Sequence, residues 1–427
     1  QPQLLEDLKI LKSLKLKEEK EGKVDDGNDK SSALQLWDMG YYMRKYKATL
    51  GVDEAELREY FPLDHVKKEI LSIYQELLGL RFERVIVKNN NSKDNDDDEI
   101  FEVWLEDVEC YAVHDLKQWE EEEKKEGESA SSLLGYFFLD IFPRDGKYSH
   151  QCVYPLRPSY VTVGNDTNDG DSSADSHRVL PACVNIGNLS RGTDGKPSML
   201  RFREVETFFH EFGHVMHCVL SKSKHSLQAW AWSAVPWPGG VEQDFLEVPS
   251  MMLENFVWQP EILKRLSCRP KDGSSLPKDA IDALSKSRFV MDSYSRSRVL
   301  SMSLYDLIVH SGPGPTYSYK GQDYDAIDLY SAILSDATGV SVIPDTFPVA
   351  SWYHPMMGYD AGYYSYYWSE AYAADLFSEF EQASSVVQYD LGLKYRETIL
   401  SPCAMLDGNT MLRNFLGRDP SIEAFLM

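Results

Sequence analysis

One stretch constrains this chain more than any other: Thr207-Phe208-Phe209-His210-Glu211-Phe212-Gly213-His214-Val215-Met216-His217. Its apolar residues Phe208, Phe209, Phe212, Val215 and Met216, with Val219 beyond, recur at helical spacing without a Pro. The spacing predicts a buried amphipathic helix over about 203–221. Residues four apart on a helix share a face, so His210 and His214 can bring both imidazoles to one metal ion. Glu211 then stands beside the metal, where a general base takes a proton from metal-bound water; this is the mechanical content of an H-E-x-x-H pattern. A pair of core histidines satisfied by their neighbours would leave the same pattern without the chemistry.

The third ligand decides the class. His217 shares the helix face, but seven residues place it about 10.5 Å along the axis from His210. Zinc holds its nitrogens near 2 Å, so one ion cannot take both. The next rich stretch runs from Gly240 to Trp258 and sets four carboxylates, Glu242, Asp244, Glu247 and Glu254, among large apolar residues. A second helix over about 241–258, packed on the first, would push acids into the gap between them.

With H-E-F-G-H-V-M-H followed by D-F-L-E-V-P-S-M-M-L-E-N, the sequence resembles the M3 family of zinc oligopeptidases. The resemblance makes Glu247, the Glu before x-Pro-Ser, the third ligand of one zinc ion with His210 and His214. Glu242, Asp244 and Glu254 are then supporting acids, and Asp244 is a candidate to orient a ligand imidazole through its other ring nitrogen. A second stretch, His354-Pro-Met-Met-Gly-Tyr-Asp-Ala-Gly-Tyr-Tyr-Ser-Tyr-Tyr-Trp-Ser-Glu370, is similar to the family's Gly/Tyr signature. Two glycines among five tyrosines suggest a mobile loop entering a helix, with hydroxyls free to point inward. The resemblance implies catalytic contacts from His354, Tyr363 and Tyr366, and substrate contacts from Tyr359, His354, Gly358 and Gly362. The physical demand is for a donor to the oxyanion formed when water adds to a peptide carbonyl.

The fold expected is mainly α with a small β-sheet, a zincin-like (gluzincin) catalytic region over 37–427, preceded by a charged helical segment and surface loop over 1–36. A strand over Tyr136–Phe142 ends at the turn Pro143–Gly146, and Val103-Trp104 and Arg157–Val163 are neighbouring strand candidates. Asn89–Glu99, Glu120–Ser129 and Gly164–Ser176 read as polar insertions without apolar periodicity. Three Trp in the Pro/Gly-rich span Ala229–Gly240 are expected to pack under their loop rather than line a cleft. The resemblance also implies that this chain lacks most of the family's large helical N-terminal region.

The 427 residues are 43% hydrophobic and carry a net charge of -24, which argues against nucleic acid and anionic membrane as partners. No apolar run reaches a membrane span, and none reads as a signal peptide. Six scattered cysteines without C-x-x-C suit free thiols; Cys218 beside His217 is a candidate for oxidation. The expected protein is a cytoplasmic monomer, or one from a mitochondrion or plastid, hydrolysing internal bonds of short peptides. An organellar peptidase that degrades cleaved targeting peptides, and a non-catalytic zinc- and peptide-binding fragment, are the alternatives.

Overall fold

The computed structural model describes residues 2–21, 33–85, 87–88, 101–124, 131–162, 177–193, 195–230, 240–383 and 385–426. By packing they fall into two compact units, Gln1–Ala55 with Pro277–Trp368, and Glu56–Leu276 with Ser369–Met427. The architecture is mainly helical with a small mixed sheet, as expected.

The sheet belongs to the second unit. Its strands are β1 (Leu80–Val85), β2 (Glu109–Asp115), β3 (Leu133–Asp140), β4 (Cys152–Arg157) and β5 (Ala182–Ile186), in the order β1-β2-β3-β5-β4. Strands β3 and β5 run parallel and the other neighbours antiparallel. Central strands must be apolar on both faces, and Cys110, Val113, Phe137 and Leu139 are fully buried. Strand β4 lies at the edge and exposes Tyr154 and Leu156.

Several expectations change here. Strand β3 starts at Leu133 and stops at Asp140, two residues before the apolar run ends. Val103 and Trp104 lie at a bend rather than in a strand, and the Trp104 indole donates to Asp140 (2.9 Å). Of Arg157–Val163, Arg157 closes β4, and Tyr160–Val161 pairs with Arg178–Val179 in a separate ladder. Glu120–Glu122 are helical within Leu116–Glu122, whose N-cap Asp115 accepts from the Gln118 N–H. The insertions Asn89–Glu99 and Gly164–Ser176 lie outside the described residues.

Two helices cover the sheet. Helix α1 (Leu63–Leu78) sends the Tyr74 hydroxyl to the Phe209 carbonyl (2.8 Å). Helix α2 (Phe202–Val219) closely matches the span expected from periodicity and sets Phe212 among Tyr74, Phe82 and Phe137, at ring separations of 4.8, 5.9 and 5.2 Å. Edge-to-face aromatic packing of this kind fixes the rotation of α2 about its axis. Helix α3 (Val248–Glu254) packs on α2 and is shorter than the 241–258 rod expected. Pro249 in its first turn has no N–H to donate and fits only a helix start; a 3-10 turn, Asn255–Trp258, follows.

The first unit has cores of its own. On the charged helix Pro2–Glu21, Leu4 and Leu11, seven residues apart on one face, are buried with Met39, Tyr42, Met291, Tyr294 and Val340. A second core joins Tyr305 of the helix Asp292–Ser311 to Leu329, Tyr330 and Ile333 of the helix Ala326–Thr338. Among the described residues no helix is long and apolar enough to cross a membrane.

Candidate metal centre

The His210 and His214 rings emerge from one face of α2 with centroids 5.1 Å apart, and Glu247, the N-cap of α3, meets them. Glu247 Oε2 lies 3.4 Å from His210 Nε2 and 3.1 Å from His214 Nε2. The three ligand atoms all fall within 4.8 Å of one another, and among the described residues no other group of His, Cys, Asp and Glu comes together in this way. Donors held 2.0–2.1 Å from a tetrahedral ion stand roughly 3.3 Å apart, so the spacing and the N, N, O donor set fit a zinc-like cation.

A missing methyl lets α3 come this close. A Cβ on Gly213 would stand 2.8 Å from Ser250 Cα, a backbone atom that cannot turn away. The same Ser250 directs its hydroxyl at the Glu247 carbonyl (3.0 Å) and Oε2 (3.1 Å). Burial pushes the Glu247 carboxyl up, but the His214 and His210 imidazoles outweigh it and hold the carboxyl well below its usual range.

The His210 imidazole reaches Glu254 Oε2 through Nδ1 at 2.9 Å, so Glu254 fixes the orientation of that ring. The Asp244 carbonyl accepts from the Ser369 hydroxyl, and Glu242 accepts from the Gly408 N–H. The signal was present in the sequence: Glu254 lies seven residues after Glu247, two turns along one helix face.

Glu211 is buried beside the centre. Burial pushes its carboxyl above the usual range, helped by the Glu247 charge and opposed by His210, His214 and His150. The edge strand β4 and its neighbour β5 pack against α2, and the Glu211 charge reaches Cys152. Burial, with that charge, pushes the Cys152 thiol up to about 11.

His217 stays out of the group. It is fully buried, and burial together with His214 pushes its imidazole down to about 3, so it is neutral. Trp230 is also buried and packs on His214, centroids 5.4 Å apart. It is one of the three Trp expected under the loop; Trp232 and Trp237 lie outside the described residues. All six cysteines are free thiols. Cys218 is a poor target for oxidation, because a hydrogen bond with Cys183 and burial push its thiol well up.

In the first unit the Gly/Tyr stretch forms a 3-10 turn, His354–Met357, then bends and enters the helix Ser365–Glu381. Gly358 sits at φ 91°, a conformation glycine adopts freely. Rings of His354, Tyr359, Tyr363 and Tyr366 form one cluster: Tyr359 stacks on Tyr366 at 5.4 Å, and the edge of Tyr363 meets His354 at 5.1 Å. Tyr363 is buried, against Trp352 as well; the other three are half-buried. Burial pushes the Tyr363 phenol up to about 12, which keeps it a proton donor through neutral pH.

The family model for Peptidase family M3 matches residues 1–427. The chain belongs to that family. Among its relatives, a thimet-like oligopeptidase of Dictyostelium discoideum is 33% identical over 380 residues, 88% of this chain and 49% of that protein. Saccharolysin of Saccharomyces cerevisiae is 31% identical over 426 residues, 98% of this chain and 53% of that protein. The chain thus spans about half the length of these M3 relatives. The solved structure of "PZ peptidase A with inhibitor 2" aligns with 86% of this chain and 48% of its own at 11% identity and a TM-score of 0.44.

Proposed function

We propose that this chain is the catalytic region of a zinc-dependent endopeptidase that hydrolyses internal bonds of short peptides. The observation that carries the proposal is the convergence of His210, His214 and Glu247 beside a buried Glu211. These three would hold one zinc ion, which when bound acidifies water and polarises a peptide carbonyl. Glu211, its basicity raised by burial, takes the proton of the attacking water and returns it to the leaving amine. Glu254 keeps the His210 ring in its ligating orientation.

The M3 family assigns contacts with the oxyanion and the substrate to the Gly/Tyr stretch, so His354, Tyr363 and Tyr366 are the proposed donors. Tyr359, Gly358 and Gly362 are proposed to line the bound peptide. The edge strand β4, packed on α2, suits an extended peptide that adds to the sheet. The relatives' names support peptides as substrates.

The test is metal content measured together with cleavage of a short-peptide mixture, with and without a chelator. One zinc per chain and chelator-sensitive cleavage are expected. A metal-free chain that cleaves peptides as fast as the loaded one overturns the proposal.

A further inference from the structure

The helix Asp292–Ser311 carries a carboxylate that the mechanism above does not use. Asp306 is fully buried, yet neither of its oxygens is idle. Oδ1 accepts from the Ala361 N–H (3.0 Å), and Oδ2 accepts from the Tyr363 N–H (3.0 Å). His310, one turn further along, places Nδ1 2.9 Å from Oδ1 and 2.9 Å from the Asp306 carbonyl. The two amides belong to the Gly/Tyr stretch, more than fifty residues away in sequence.

The backbone there needs holding. Ala361 stands at φ 55°, in the left-handed region that disfavours a residue with a Cβ. A fixed anion that gathers the amides on either side of Gly362 stabilises such a bend, since hydrogen bonds to an ionised acceptor are stronger than neutral ones. Tyr363 follows at once, and its ring sets the edge against which His354 and Tyr366 pack.

We propose that Asp306 is a positioning residue for the Gly/Tyr stretch: its carboxylate fixes the bend at Ala361–Tyr363 and so the places of the Tyr363, His354 and Tyr366 rings. The inference rests on the proposed role of these rings in catalysis, and the experiment separates the two.

Asp306→Asn keeps the shape but offers one acceptor where two amides donate. In the zinc-loaded chain this variant is expected to exchange the amide hydrogens of Ala361 and Tyr363 at least about tenfold faster, and to lower kcat by about tenfold with KM and zinc content little changed. Adding Ala361→Gly, which adopts a positive φ without strain, should restore part of kcat. A variant that merely loosens the fold would not be rescued in this way. Unchanged exchange at these two amides overturns the inference. So does faster exchange with unchanged kcat, provided that Tyr363→Phe and Tyr366→Phe lower kcat. If those two Phe variants turn over at the normal rate, the catalytic role of the rings falls, and the positioning role with it.

Discussion

At the residue scale, one carboxylate and one ring partner carry separable duties. Glu211→Gln removes the base but none of the three proposed ligands. Zinc content should stay near one per chain while turnover drops by about 10²–10⁴-fold; a variant that cleaves a fluorogenic peptide at the normal rate means that the proton is taken elsewhere. Glu254→Ala should instead weaken zinc binding by about 10–100-fold, because His210 loses the acceptor that holds its ring. A competitive chelator titration reads that directly, and unchanged affinity would show that the 2.9 Å contact does not orient the ligand. The sequence placed His210, His214 and Glu211 on one helix because helical spacing is a local property. It set Asp244 ahead of Glu242 and Glu254 as the acid for an imidazole, whereas Glu254 meets His210, since which acid reaches the ring depends on where α3 docks.

At the scale of elements, the α2–α3 contact places Glu247, the proposed third ligand. Gly213→Ala gains about 1 kcal/mol in helix propensity. It also drives a methyl onto Ser250 Cα, where the backbone must shift, at a cost of about 1–3 kcal/mol. The second effect should win. We expect a lower unfolding midpoint and weaker zinc binding together; a stabilised variant with normal zinc affinity would mean that α3 has room to spare. Periodicity revealed α2 because its buried face is continuous. It overextended α3, since apolar residues on both sides of Pro249 look helical to a pattern but not to a backbone lacking one N–H. Strands β1, β2 and β5 went unread for another reason: their partners lie tens of residues away, and short apolar runs do not declare their period.

At the scale of the whole molecule, bound metal and acid both report on folding. Removing zinc should lower the unfolding midpoint, since a ligand at about a hundred times its Kd contributes about 2.7 kcal/mol. A His210→Ala chain should not respond to the chelator. Acid sensitivity has a definite source at Asp140, where burial pushes the carboxyl up but Arg144, Lys147 and the Trp104 indole outweigh it and hold it below the usual range. A depressed carboxyl is ionised in the folded chain while the unfolded one is already binding protons. Its contribution is therefore complete above about pH 4 and disappears as pH falls through the lowered value. The midpoint difference between wild type and Asp140→Asn should be full at pH 7 and close below about pH 4; a constant difference would contradict this. Contacts gather Gln1–Ala55 with Pro277–Trp368. Helices that pair across more than two hundred residues, as Leu4 and Leu11 do with Met291 and Tyr294, leave no trace in a local window.

The tight seat of α3 on α2 has a consequence for the chain that joins them. The carboxylate of Glu247 is delivered by the grip of one helix on another, with Ser250 against the bare flank of Gly213, and not by the tether between. Whatever loosens that grip therefore moves the carboxylate, however the intervening chain is built.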